Sequence, residues 1–151
     1  MALSTLIDKL ESYIPQHQQE NPNISSSTVG WQIAHALKVV RGVVRSLEIS
    51  KPEEYKHKFS LSKTTVLSLQ KIPRGKAKAP KYVRPEEEEL SQEALQEQVA
   101  SARRAVDKLQ QLPKEVHFAH PYFGSLKKKQ AEKFIKIHTQ HHLDIIKDML
   151  G

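Results

Sequence analysis

The sequence predicts an all-α protein, a four-helix bundle with a long crossover between its second and third helices. Apolar residues recur every three or four positions in four separate segments, which is the pattern of helices that bury one face. A stretch rich in proline and basic residues separates the second segment from the third. At 151 residues the chain has the size of one domain with its own core, so we expect residues 1–151 to form a single helical bundle domain.

The first half of the chain carries the signals of two helices. The first is predicted over about residues 4–13, where leucines and isoleucines share one side and Pro15 ends the helix. Residues 25–28 are three serines and a threonine, which are good N-caps. We therefore expect the second helix to begin there and to continue to about Leu47.

The crossover is predicted over residues 48–84. Within it, residues 62–70 have the pattern of a short helix or a strand, and their β-branched residues leave both open. Residues 72–84 contain too many prolines for regular structure. A crossover of this length in a compact domain is often functional.

The third helix is predicted to begin at Pro85 and to end before Pro113. Proline suits the first helical position, and the acidic residues 86–89 complement the positive end of a helix. The last helix is predicted over about residues 125–150, after a connector rich in histidine and aromatic residues.

Composition excludes several kinds of chemistry. The chain has no cysteine, which excludes disulfides, thiolate metal sites and a cysteine nucleophile, so a bound metal must have nitrogen or oxygen ligands. No apolar run reaches the length of a membrane span, and the first residues lack the pattern of a signal peptide. We expect a cytoplasmic protein with no membrane partner.

The net charge of +7 raises the question of a nucleic-acid partner. The basic residues gather in two places, at 71–84 and at 127–129, but neither is interleaved with the aromatic residues that bind single strands by stacking. Solvated surface is the favoured interpretation of both, and nucleic-acid binding is not expected.

Two histidines near the end of the chain are the most informative residues. His138 and His142 are four residues apart on the last predicted helix, so their rings lie on one face about 6 Å apart. They continue a stripe of apolar residues and should point inward, where an unpartnered polar ring is costly. Either a metal ion binds both rings, or they are core histidines hydrogen-bonded to each other, to water or to buried carboxylates.

A stable metal site needs a third ligand, and the second helix offers His35. Neutral imidazoles suit zinc, nickel, copper or iron, and three protein ligands with one open position are typical of catalytic zinc sites. On the helical wheel His35 lies on the flank of the apolar face, beside Trp31 and Val39. Whether the three rings meet is therefore open.

Five nearby residues are candidates for supporting roles. His141 is a fallback ligand, a base behind the ligands or, in the favoured interpretation, a surface residue. His120 is expected to brace its loop. The ring of Trp31 suits core packing, although Trp31, Tyr122 and Phe123 could also form the walls of a pocket.

These motifs resemble a known superfamily. The combination of Trp31-x-x-x-His35 on the second helix with His138-x-x-x-His142 on the fourth is similar to the DinB/YfiT-like metalloenzymes, and the likeness covers essentially the whole chain. The His120-Pro-Tyr-Phe-Gly sequence and the H-T-Q-H-H run resemble one branch of that superfamily, known only as a domain of unknown function.

The resemblance implies a function as well as a fold. It implies that His35, His138 and His142 bind a divalent metal, commonly nickel or zinc, in an enzyme acting on a small-molecule substrate by group transfer, isomerisation or hydrolysis. Some members use a low-molecular-weight thiol, which suits a chain without cysteine. Members often form homodimers.

A second hypothesis needs no metal. In it the bundle is a binding module that engages a partner through the basic part of the crossover, from Lys71 to Arg84, and the histidines are structural. Binding to nucleic acid that weakens steeply with salt would favour this hypothesis.

Overall fold

The computed structural model describes residues 1–55, 61–75, 79–120 and 123–151, with the backbone alone at residues 61 and 62. These ranges are mainly helical, which confirms the predicted class in its coarse form. The α-helices are α1 (Leu3–Ser12), α2 (Val29–Ile49), α3 (Leu61–Leu69), α4 (Gln92–Gln111) and α5 (Lys128–Leu150). A small antiparallel sheet pairs β1 (His117–His120) with β2 (Gly124–Lys127).

Helix α2 is the most buried element of the structure. It packs against α4 and α5, and α1 also packs against both of those helices. The Thr28 hydroxyl caps α2 by accepting from the Trp31 amide at 3.1 Å, as the predicted cluster of N-caps requires. Nearly every side chain between residues 29 and 40 is buried, including the polar Gln32 and His35. Polar groups enclosed in this way need partners.

The predictions of the first two helices hold within a few residues. Helix α1 begins and ends one residue before its predicted bounds, and α2 extends two residues beyond Leu47. The ambiguous segment 62–70 is helical, as α3. Leucine and valine from this segment pack against the core, which favours the helix despite the β-branched residues.

The predicted start of the third long helix is wrong. Pro85 is not its first residue, because α4 begins at Gln92 after Ser91, whose backbone is extended and whose hydroxyl accepts from the Ala94 amide. The acidic residues before it form a separate 3-10 turn, Glu87–Leu90, which Glu86 and Glu89 close by capping each other. The acidic residues thus belong to this short turn and not to the first turn of α4.

The hairpin is an addition that the sequence did not predict. Strand β2 takes up residues 124–127, so α5 begins at Lys128 and not at Ser125. Gly124 has a φ of +73°, a conformation that glycine adopts without a steric penalty. The Ser50 hydroxyl accepts from the His117 amide at 3.0 Å and joins the hairpin to the end of α2.

The described part of the crossover contacts two of the long helices, since α3 packs against α5 and the 3-10 turn Lys81–Val83 packs against α2. Its one regular piece within residues 72–75 and 79–84 is the 3-10 turn Lys81–Val83, so the expectation of no regular structure there was wrong for this turn. Residues 76–78 of that stretch fall outside the described ranges.

Within the described ranges, no helix combines the length and the apolar character needed to cross a bilayer.

Candidate metal centre

The structure brings the three predicted histidines together. One ring nitrogen from each of His35, His138 and His142 can be chosen so that no two lie farther apart than 4.8 Å. The ring centroids are separated by 5.0 Å for His35 and His138, 4.7 Å for His35 and His142, and 4.6 Å for His138 and His142. The position of His35 on the flank of its apolar face therefore does not keep it from the other two.

Non-local contacts explain why a flank residue is buried. His35 is only 3% exposed, although its own helix gives it no central place on the apolar face. The 3-10 turn Lys81–Val83 packs against α2 on that side and covers the ring. The crossover thus completes the environment that the sequence of α2 leaves open.

The His35 ring is oriented by a backbone carbonyl. Its Nδ1 lies 2.8 Å from the Val83 oxygen, and because a carbonyl can only accept, Nδ1 must carry the proton. The lone pair of the neutral ring is then on Nε2. A metal-binding histidine usually donates its second nitrogen to a carbonyl or carboxylate in this way.

His142 is oriented in the same manner by a side chain. Its Nδ1 donates to Gln32 Oε1 at 2.6 Å, and Gln32 Nε2 donates in turn to the Ser25 hydroxyl at 3.0 Å. In this orientation of the amide, Oε1 faces the histidine and Nε2 faces the serine. His142 therefore also has its lone pair on Nε2.

His138 lacks such a partner. The residue is partly exposed, but its Nδ1 is fully buried and has no hydrogen bond within the described structure. The ring lies 5.6 Å from that of Phe134, an apolar neighbour that offers no polar contact. A buried polar atom left in this state is costly unless something binds it.

Burial keeps the three rings neutral. Desolvation lowers the pKa of His138 and His142 well below the usual value, and the neighbouring histidines lower it further. Desolvation also lowers the pKa of His35, against the opposing effect of its hydrogen bond to Val83. At neutral pH all three are in the form that binds metals.

The donor set suits a divalent transition metal. Three neutral nitrogens, with no carboxylate in the cluster among the described residues, match the preference of nickel, zinc, copper and iron for imidazole. Nitrogens around a tetrahedral zinc are about 3.4 Å apart, given zinc–nitrogen distances of about 2.1 Å. The observed limit of 4.8 Å is somewhat wider, within the reach of small side-chain rotations.

His141 lies beside the cluster without joining it. Its ring contacts that of His142 edge to face at 5.0 Å, and the residue is partly exposed. Burial lowers its pKa, and the charge of Arg74 lowers it further. This position fits a residue at the border of the site.

His120 braces the hairpin. Its Nδ1 accepts from the Phe123 amide at 3.1 Å, and the two rings stack with centroids 4.0 Å apart. Burial lowers the pKa of His120 to about 4. These are the contacts of a loop-bracing residue.

Aromatic rings surround the histidines. Trp31 stacks on His35 with centroids 5.0 Å apart and an interplanar angle of 18°. Phe123 is buried and meets Phe134 edge to face at 5.9 Å. Tyr122, the third residue predicted to form a pocket wall, lies outside the described residues.

Two supporting residues were not identified from the sequence. Gln32 gives a signal, because it is a polar residue one turn before His35 within an apolar stretch that must be buried. Val83 gives none, because it acts through its carbonyl, and every residue has one.

A separate cavity of about 650 Å³ lies elsewhere in the structure, and none of the three histidines lines it. Its walls come from the segment after α2, the connector after α4 and the start of α5; they are Pro52, Tyr55, Lys114, Glu115, Lys127, Lys128, Lys129 and Glu132. The histidine cluster is thus part of the packed interior and not of this basic depression.

The fold and the site define a mainly helical protein with three histidines, two of them buried and one partly exposed, that lie close enough to bind a metal. A family model described as "Protein of unknown function (DUF1569)" matches residues 55–149, and the chain belongs to this family. The matched range contains His138 and His142 but begins after His35. No curated protein and no solved structure matches the chain.

Proposed function

We propose that the protein is a metal-dependent enzyme in which His35, His138 and His142 bind nickel or zinc. The observation that carries this proposal is the convergence of three neutral imidazoles, two of them oriented by hydrogen bonds that leave Nε2 free. The reaction is group transfer, isomerisation or hydrolysis of a small molecule.

His35, His138 and His142 would hold the ion as three neutral ligands, and its uncompensated charge would supply Lewis-acid chemistry, lowering the pKa of a bound water or thiol. The protein contributes the orientation of the ligands, through the Val83 carbonyl and the Gln32 amide. Trp31 and Phe134 supply apolar ring contacts to His35 and His138. Any thiol in the reaction comes from a small molecule, since the chain has no cysteine.

The packing of α1, α2, α4 and α5 supports a four-helix bundle with a long crossover as the architecture of this enzyme. Together with the histidine geometry, it supports our proposal that the family is a branch of the DinB/YfiT-like superfamily. A homodimer is the oligomeric state that this placement leads us to expect.

The metal content of the protein tests the proposal. Protein without an affinity tag is loaded with zinc or nickel, dialysed and measured by plasma mass spectrometry, and we expect about one ion per chain. Protein that stays empty at micromolar metal would overturn the proposal.

The metal-free binding module remains the alternative. Two described contacts hold its basic segment against the rest of the chain: Val83 meets His35, and Arg74 pairs with Asp148 at 2.8 Å. These contacts favour a structural role for the segment. Salt-sensitive nucleic-acid binding by the metal-free protein would support the alternative.

Gln32 provides a further prediction. Replacing it with leucine removes the acceptor for His142 Nδ1–H, and we expect metal affinity to fall about 10–100-fold because the ring is no longer held. Gln32→Glu keeps an acceptor and should retain most of the affinity. Competition against a chromophoric chelator measures both, and equal affinities of wild type and Gln32→Leu would contradict the role.

A further inference from the structure

The segment of residues 80–90, which we call the strap, crosses α2 beside the histidine cluster. Its Val83 carbonyl accepts the hydrogen bond from His35 Nδ1, while the Val83 side chain packs against the core. The Val83 amide donates to the Pro80 carbonyl at 3.0 Å, closing the turn that presents this oxygen. The orientation of one predicted ligand therefore depends on where the strap lies.

Lys38 joins the strap to α2. It lies one helical turn after His35, on the same side of the helix. Its Nζ donates to both carboxylate oxygens of Glu89, at 3.1 and 3.3 Å, and to the Arg84 carbonyl at 3.3 Å. The Lys38 ammonium group thus contacts two residues of the strap, Arg84 and Glu89, both of which follow Val83 in the chain.

Glu89 is itself held firmly. Its carboxylate accepts from the Glu86 amide at 2.6 Å, and its carbonyl accepts from Gln98 Nε2 at 2.7 Å. Gln98 belongs to α4 and is buried. The Lys38–Glu89 contact therefore connects the strap to two of the packed helices.

The surroundings of Glu89 favour its ionised form. Burial alone would raise the pKa of its carboxyl, but the hydrogen bonds from the Glu86 amide and from Lys38 lower it, and so do the charges of Lys38 and Arg41. At neutral pH the contact is thus an ion pair between full charges.

We propose that the Lys38–Glu89 ion pair positions His35 for metal binding by holding the Val83 carbonyl on His35 Nδ1–H. The inference rests on the proposed metal site and adds two positioning residues that do not touch the metal. Without the carbonyl, the proton of the His35 ring is distributed over both nitrogens. Only the fraction with a free Nε2 can bind, and the apparent affinity falls in proportion.

If the ion pair had a purely structural role, breaking it would change the stability of the protein and not specifically its metal affinity. The two side chains are 27% and 29% exposed, and ion pairs of this kind contribute little to stability because water competes for both charges. Breaking the pair should therefore leave the unfolding midpoint nearly unchanged. A change in metal affinity without a change in stability would identify a positioning role.

The test compares the variants Lys38→Met and Glu89→Gln with the control Lys51→Met. Lys51 forms an exposed ion pair with Glu54 just after the C-terminal end of α2. We expect the first two variants to bind zinc about 10-fold more weakly in chelator competition, and Lys51→Met to bind like wild type. The exchanged pair, Lys38→Glu with Glu89→Lys, should recover part of the loss. Affinities of Lys38→Met and Glu89→Gln within about twofold of wild type would overturn the inference.

A second measurement on metal-free protein keeps this inference separate from the proposed function. Nitrogen-15 NMR of the imidazole rings should show His35 with its proton on Nδ1 in wild type and on both nitrogens in Lys38→Met. If wild type binds no zinc, the proposed function fails, and the NMR spectra still decide the positioning role. An unchanged His35 spectrum in Lys38→Met would overturn it.

Discussion

Replacing His138 with leucine is expected to abolish metal retention while leaving the protein folded. Two imidazoles hold a divalent ion far more weakly than three, so the metal content after dialysis should fall from about one ion per chain to below about 0.1. Plasma mass spectrometry on matched preparations measures the loss. Retention of one ion per chain in this variant would remove His138 from the proposed site.

The same substitution should stabilise the metal-free protein. His138 Nδ1 is buried without a partner, and leucine removes that atom while filling a similar volume. We expect the free energy of unfolding in urea to rise by about 1 kcal/mol. Binding sites often lower the stability of the ligand-free protein, because the residues that function requires are not the ones that pack best.

His141→Leu is the matched control. It changes a neighbouring residue of the same helix in the same way, but His141 is outside the cluster. We expect metal retention close to that of wild type. Loss of the metal in this variant as well would make His141 a ligand, the fallback role that its sequence position allows.

Acid should destabilise the metal-free protein strongly. The folded state holds five histidines below their ordinary pKa, and burial is the first cause for each: His35, His120, His138, His141 and His142. As the pH falls below about 6.5, these residues take up protons in the unfolded chain before they do so in the folded one. Stability present at neutral pH is therefore lost progressively as the pH falls from about 6.5 toward the folded values.

His120 makes this prediction specific. With a folded pKa of about 4, its share of the loss between pH 6.5 and 4 is on the order of 2–3 kcal/mol. His120→Asn offers an acceptor to the Phe123 amide but does not titrate. Urea unfolding across this pH range should show a shallower dependence in the variant. Equal slopes in the two proteins would contradict the assignment.

Local patterns in the sequence were sufficient to predict most of the helices and the common face of His138 and His142, whereas His35 was assigned to the site through the family resemblance. The spacing of His138 and His142 fixes their common face, because helical geometry depends only on neighbouring residues. The burial of His35 could not be predicted from the helical wheel. It depends on Val83, 48 positions further along the chain, and a helical wheel contains no information about distant segments.

The wrong start of the third helix and the missed hairpin likewise reflect information that the local sequence pattern does not contain. The acidic residues 86–89 look like a helix start and form a 3-10 turn instead, because the extended backbone of Ser91 separates them from α4. The connector before α5 carries four residues in each strand, too few for a clear alternating pattern. Hydrogen bonding between the strands and to Ser50 decides its structure.

The histidine cluster also has a consequence for how the protein matures. His142 and its hydrogen-bond partner Gln32 are 110 positions apart in the chain. During synthesis, a ribosome that has released α2 has delivered only His35 of the three, and the other two imidazoles lie more than 100 positions after His35 in the chain. Under the proposed function, capture of a metal by all three would begin only once α5 has emerged and docked against α2. Metal uptake would therefore report that the nascent chain has reached its final tertiary structure.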